Sequence, residues 1–292
     1  MNEFTIKDLE NLSGIKAHTI RIWEQRYQFL KPNRTDTNIR YYSNDELKKI
    51  LNIALLNKYG YKISHIDKMN EIEVKEKILS LSQLQAQQER IVNDLIKCMI
   101  DLDMDKLEDI LNKYIIARGI EKSITQIIFP FLEKIGILWL TNHINPAQEH
   151  LVTNIIRQKL IVGIEGATSI FKVDKTVLLF LPEGEYHEVG LLFVNYLLKS
   201  RGISVIYLGA NIPINDVEYV VKLKKPDYLF SHLTSTCNNF HLDKFIATIT
   251  KKFAGIPIII SGQLTHTYEK KIPPQINFKR SLQETMEFIA SL

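Results

Sequence analysis

The run Glu185-Tyr186-His187-Glu188-Val189-Gly190 brings together three residue types that could hold a metal-bearing ligand. The imidazole of His187 can bind a metal through one ring nitrogen. The carboxylate of Glu185, two residues earlier, can orient the ring through the other nitrogen. Gly190, three residues later, lets a bulky group approach the backbone. The run follows an apolar stretch, Thr176 to Leu181, that reads as a buried strand, and it opens an amphipathic stretch, His187 to Ser200, that reads as a helix. A histidine at such a junction suits the lower axial position on the cobalt of base-off cobalamin.

A different chemistry lies near the other end of the chain. Between Lys16 and Arg40, six basic residues (Lys16, Arg21, Arg26, Lys31, Arg34 and Arg40) outnumber two acidic ones, Glu24 and Asp36. Such a cluster is an electrostatic footprint for a polyanion. The net charge of +4 over 292 residues is too small to carry that argument, so the local excess carries it. Cys98 and Cys237 are far apart and form no Cys-x-x-Cys pair, zinc constellation or disulfide framework, which points to a reducing cytoplasm. Met1 to Leu12 contains acidic residues and no apolar core of the kind a signal peptide needs. No apolar run approaches the ~18 residues of a membrane span, so no membrane association is expected.

The chain around these residues falls into three segments, each with its own pattern. In the first, residues 1–72, Thr5 to Leu12 and Ala17 to Tyr27 read as two helices around a Ser13-Gly14 turn. A polar loop from Lys31 to Asn38 leads to extended Ile39 to Tyr42. A helix then starts at Ser43 and breaks at Gly60-Tyr61, and Ile63 to Met69 forms a last short helix. The second segment, residues 73–171, lacks strand signals. Its apolar residues, among them Leu79, Leu84, Leu95, Met99, Leu102 and Leu107, recur at helical spacing, and further helices are expected over Gly119 to Leu140 and Pro146 to Thr168. Short loops predict an antiparallel helical bundle. The third segment, residues 172–292, alternates. Strands are predicted at Thr176–Leu181, Ile203–Leu208, Tyr228–Leu233, Ile256–Ser261 and Gln275–Phe278, with helices between them. That alternation predicts a flavodoxin-like, doubly wound parallel sheet with ligands at the carboxyl ends of its strands.

The string from Thr19 to Tyr27, followed by Pro32, Arg34 and Arg40-Tyr41-Tyr42-Ser43, resembles the winged helix-turn-helix of MerR-type transcription regulators. The resemblance runs through the first segment and keeps helix, wing and following helix in order. It implies that the second helix enters the major groove of double-stranded DNA and that the wing follows the phosphate backbone. His18, Thr19, Arg21 and Arg26 would face DNA from the helix, and Arg34, Arg40 and Tyr41 from the wing. Arginine suits guanine and phosphate alike, and a tyrosine hydroxyl can donate to phosphate. Trp23, Ile20 and Tyr27 read instead as core. The resemblance also implies binding at palindromic operators as a homo-oligomer, a dimer or tetramer. No cysteine lies between Met1 and Lys97, which speaks against a thiol metal sensor.

The third segment resembles the cobalamin-binding domain of methionine synthase and corrinoid carrier proteins. The family pattern Asp-x-His-x-x-Gly, Ser-x-Leu, Gly-Gly stands here as Glu185-x-His187-x-x-Gly190, Ser231-His232-Leu233 and Gly262-Gln263. Glu replaces Asp in the first motif, and Gln263 replaces the second glycine of the last. Tyr207 to Pro213, with Gly209, matches the family's turn after its second strand. In the bundle, Trp139 followed after nine residues by Glu149-His150 is similar to the cap of MerR-type cobalamin photoreceptors of the CarH and LitR kind. In that family the tryptophan covers the upper corrin face, and the Glu and His approach the adenosyl group. A histidine often follows the tryptophan there; this chain has Leu140, with His143 nearby.

Taken together, the resemblances imply a cytoplasmic regulator without enzymatic activity. It would be a repressor controlled by adenosylcobalamin and by light, acting on genes such as those of carotenoid synthesis. Two alternatives stand beside it. One is a cobalamin-independent MerR-type regulator whose sheet domain binds a protein. The other is a corrinoid methyl-transfer protein, which the winged helix opposes.

Overall fold

A computed structural model describes residues 3–27, 29–140, 144–234 and 240–292, except for the side chains of Trp139 and Leu140. His143 and Cys237 lie outside the described residues. The chain divides into two compact units, Met1–Ile155 and Ile156–Leu292.

The first unit begins with α1 (Ile6–Ser13) and α2 (Ala17–Arg26), then a two-stranded wing, β1 (Asn33–Arg34) and β2 (Arg40–Tyr41), and α3 (Asn44–Lys58). Local chemistry sets these boundaries. The Thr5 hydroxyl accepts the Asp8 N–H at 3.3 Å while the Asp8 carboxylate accepts the Thr5 N–H at 2.7 Å, a reciprocal cap that starts α1. Gly14, at φ 75°, ends it. Ser43 and Glu46 cap α3 in the same way, and the second Glu46 oxygen accepts the Lys31 N–H at 2.7 Å, tying the loop before the wing to that helix. The wing pairs antiparallel, Asn33 with Tyr41 and Arg34 with Arg40. Phe4, Leu9, Ile20, Trp23, Tyr42 and Leu47 form the buried interior beneath it.

The helices continue as α4 (Ile63–Ile66), α5 (Glu71–Leu79), α6 (Leu84–Asp101), α7 (Met104–Arg118), α8 (Ile120–Ser123), α9 (Phe129–Leu140) and α10 (Pro146–Gly166). Three expected core positions, Leu79, Leu84 and Leu102, are exposed. Leu79 and Leu84 sit where α5 ends and α6 begins, so the helical period does not run through them. Leu102 adopts a left-handed conformation, φ 56°, that turns the chain from α6 into α7. The helix expected over Gly119 to Leu140 is interrupted by a π-helical stretch, Ile124–Ile128, in which the Phe129 N–H bonds back to Ile124. Pro130 follows immediately; it has no N–H to donate and would crowd the carbonyl four residues back, which a wider turn relieves. Gln148 is buried in the first turn of α10, where its amide donates to the Met99 and Ile100 carbonyls and its oxygen accepts the Asn145 N–H. One side chain thus caps two helix ends.

The second unit is a five-stranded, all-parallel sheet in the order β4-β3-β5-β6-β7. Its strands are β3 (Val173–Pro182), β4 (Ile203–Ile212), β5 (Tyr228–His232), β6 (Ile258–Ser261) and β7 (Ile276–Lys279). The crossing helices are α11 (Val189–Ser200), α12 (Ile214–Lys224), α13 (Leu242–Lys252) and α14 (Leu282–Ala290). Leu178, Phe180, Leu229, Leu233, Ile258 and Ile260 pack against α12 and α13 in one apolar cluster. From β3 the chain first moves outward to β4 and then returns to β5 on the other side. The crevice between the carboxyl ends of β3 and β5 is therefore the topological switch point, where open α/β sheets bind ligands. This is the doubly wound architecture expected, with longer β3 and β4 and a shorter β6.

Candidate functional site

The turn after β3 delivers Glu185 and His187 to that switch point. Glu185 is fully buried. One of its oxygens accepts two N–H groups of His187, the backbone at 2.9 Å and Nδ1 at 2.7 Å, and the other accepts the Thr234 N–H at 2.8 Å. Burial pushes the carboxyl pKa up, but the bonds from His187 and Thr234 outweigh it and hold the group below its ordinary value. An ionised carboxylate only accepts, so Nδ1 carries a proton toward Glu185 and Nε2 is the nitrogen left to bind a metal. The imidazole is about half exposed, at 53%. A buried carboxylate thus fixes both the tautomer and the orientation of a half-exposed ring, as metal-binding histidines require.

Around this pair the other sequence-derived residues take separate positions. Ser231, on β5, is buried with a hydroxyl that has no hydrogen-bond partner among the described residues, an orphan that a ligand could satisfy. Leu233 lies in the apolar cluster, and its backbone presses against Gly262, where a Cβ would come within 2.4 Å of the Leu233 carbonyl oxygen. These two residues join the ends of β5 and β6. Gly209 lies on β4 with the Glu188 carboxylate 3.3 Å from where its Cβ would stand.

Gly190 behaves differently from the sequence expectation. The space that a Cβ would fill there is taken by the imidazole of His232, with Cδ2 and Nε2 at 2.4 Å, so the glycine admits a side chain of β5. His232 Nδ1 lies 2.8 Å from the Ser261 hydroxyl. Desolvation lowers the pKa of this ring to about 4 against the opposing pull of Glu185, which leaves it neutral at physiological pH.

Nothing in the sequence marks a role for His232, the middle residue of Ser231-His232-Leu233, or for a second cluster beside the pair. Arg157 Nη2 donates to Glu188 at 2.7 Å, and the Tyr207 hydroxyl donates to the other Glu188 oxygen at 2.7 Å. Within the second unit, this carboxylate ties Arg157, from the end of α10 that belongs to that unit, and β4 to the residue after His187. Its partners are 31 and 19 positions away, a separation that local sequence patterns do not span.

In the first unit, Trp139 stands in the last turn of α9, with a side chain outside the described set. Glu149 and His150 stand in the first turn of α10, paired at 3.2 Å, with His150 the more exposed. On α2, His18, Arg21 and Arg26 are exposed and Thr19 is half-buried, whereas Ile20 and Trp23 point inward. Tyr27 is half-buried and stacks on Phe29. Arg34 is exposed on the wing and donates to Asn38 at 2.6 Å. Tyr41 and Arg40 are half-buried, and the Arg40 Nε donates to Glu24 of α2 at 3.1 Å. The same Glu24 accepts the buried Tyr42 hydroxyl. Arg40 therefore also braces the wing against α2.

The donor set fits one place on cobalamin. Among the described residues no three His, Cys, Asp or Glu side chains group as a metal site. A single oriented imidazole suits an ion whose other ligands come from a macrocycle, and the His187 ring has that orientation and exposure.

Comparison with known proteins bears on both units. Residues 4–71 match the MerR HTH family regulatory protein model, and residues 91–162 match the B12 binding domain model. The chain is 26% identical over 276 residues to the HTH-type transcriptional repressor CarH of Myxococcus xanthus, covering 91% of each chain. It is 25% identical over 259 residues to the repressor CarA of the same organism, covering 88% of this chain and 85% of that one. The monomethylamine corrinoid protein of Methanosarcina barkeri shares the fold, with a TM-score of 0.53 at 14% identity over 70% of this chain and 100% of that one. Among the described residues no helix is long and apolar enough to cross a membrane. The chain thus carries a MerR-type helix-turn-helix domain and a B12-binding domain, and it is a homologue of the repressors CarH and CarA.

Proposed function

We propose that this B12-binding, MerR-type transcription regulator is a cytoplasmic repressor that uses adenosylcobalamin and responds to light. The observation that carries the cofactor reading is the Glu185–His187 pair at the β3–β5 switch point. Residues 1–72 would bind operator DNA, 73–171 would cover the upper face of the cofactor, and 172–292 would hold its lower face. Bound adenosylcobalamin supplies a cobalt–carbon bond that visible light can break. His187 would give cobalt its lower ligand, with Glu185 holding the ring in place. Gly190, Gly209, Ser231, Leu233 and Gly262 would shape the surrounding crevice. Trp139 would shield the upper ligand from water, with Glu149 and His150 bonding to its polar groups. Loss of the upper ligand would remove those contacts, favour a state with weaker subunit association, and release DNA. His18, Thr19, Arg21 and Arg26 would meet DNA from α2, and Arg34, Arg40 and Tyr41 from the wing, in a homodimer or tetramer.

The visible absorption spectrum of the protein loaded with adenosylcobalamin in the dark tests this reading. A histidine-ligated, base-off signature that disappears in His187→Ala is the expected result. An unchanged spectrum in that variant would refute the ligand assignment. One observation favours a second reading, a cobalamin-independent regulator with a protein-binding sheet domain: the His232 ring fills the gap at Gly190. Absence of any cofactor uptake in the same experiment would select it.

A further inference from the structure

In cobalamin the lower face of the corrin carries its own benzimidazole nucleotide. When a protein histidine takes the cobalt, that bulky, partly aromatic arm must lodge elsewhere on the same side. This argument rests on His187 being the lower ligand. The arm must then pass close to His187, among the elements that surround it: the first turn of α11 and the ends of β5 and β6.

Those elements are already in contact. Gly190, three residues after His187, opens a gap in the first turn of α11, and the His232 imidazole closes it from β5, with ring atoms 2.4 Å from the absent Cβ position. A hydrogen-bonding contact of 2.8 Å with the Ser261 hydroxyl ties the ring to β6 as well. His232 and Ser261 are register partners across β5 and β6, so strand pairing holds the two side chains side by side. The plug is built from three elements, and moving it means breaking that contact. The unpartnered hydroxyl of Ser231, the preceding residue, lies on the same strand end.

We propose that His232 closes the slot between α11 and the β5–β6 edge, so that corrinoid recognition by this chain does not depend on the lower nucleotide. The corrin ring and its cobalt are recognised through His187, and the nucleotide arm stays outside the slot. A small residue at position 232 would leave the gap at Gly190 empty and able to accept the arm.

The test compares the dark affinities of the full-length protein for adenosylcobalamin and for adenosylcobinamide, which lacks the nucleotide, by visible absorbance titration. The parent protein is expected to bind the two within about threefold, and His232→Ala to shift preference toward adenosylcobalamin by about tenfold or more, the scale on which a pocket discriminates by shape. His232→Ser, small but with a hydroxyl for Ser261, repeats the measurement in case the alanine variant fails to fold. A parent that strongly prefers adenosylcobalamin, with that preference unchanged in both variants, would overturn the role of His232 while leaving the cobalamin reading intact. Binding of neither corrinoid by the parent would overturn both.

Discussion

Three N–H groups converge on the two carboxylate oxygens of Glu185, so replacing it with glutamine puts donor against donor on one side. Glu185→Gln should destabilise the second unit by about 1–3 kcal/mol, because a buried polar group loses its partner. It should also loosen the His187 ring and weaken corrinoid binding. The folded-state pKa of Glu185 is depressed, so its contribution is whole at neutral pH and disappears as pH falls through that depressed value. Urea unfolding at several pH values checks this, with the gap between parent and variant narrowing toward acid; a constant gap would contradict it. The sequence made this pair legible because its members are two residues apart. It hid Thr234, Arg157 and His232, whose places depend on strand order and on which face of β5 meets α11.

At the level of elements, the helix and wing of the first segment would contribute differently to the proposed DNA binding. Arg21 is exposed on α2, whereas the Arg40 guanidinium is shared with Glu24. Arg21→Ala should weaken operator binding without lowering stability, and each lost phosphate contact should make the log–log salt dependence shallower by ~0.9. Arg40→Ala should also weaken binding, but with a lower melting temperature, because Glu24 would lose a partner in a nearly buried site. DNA titration across salt concentrations, with thermal melts, separates the two; equal melting temperatures would contradict the bracing role of Arg40. Most helices and all five parallel strands could be read from apolar spacing, because burial on one face imposes the period. The exceptions have local causes. The π-helical stretch before Pro130 and the left-handed turn at Leu102 are backbone adjustments that hydrophobic periodicity does not encode.

Over the whole molecule, cofactor state would be coupled to DNA affinity through subunit assembly. Trp139→Ala should expose the upper ligand and weaken dark operator binding, while leaving the lower-ligand spectrum set by His187 intact. Loss of that spectrum in the tryptophan variant would contradict the division of labour between the two faces. Leu140 beside Trp139 offers no nitrogen that could bind cobalt, so an illuminated adduct should be unstable and the cofactor should leave readily. Light-controlled repression is measured by operator-fragment retardation with the adenosylcobalamin-loaded protein before and after illumination, with size-exclusion chromatography on the same samples. Strong retardation and a larger oligomer in the dark, both lost on illumination, is the predicted result. Identical retardation and elution in the two conditions would contradict it.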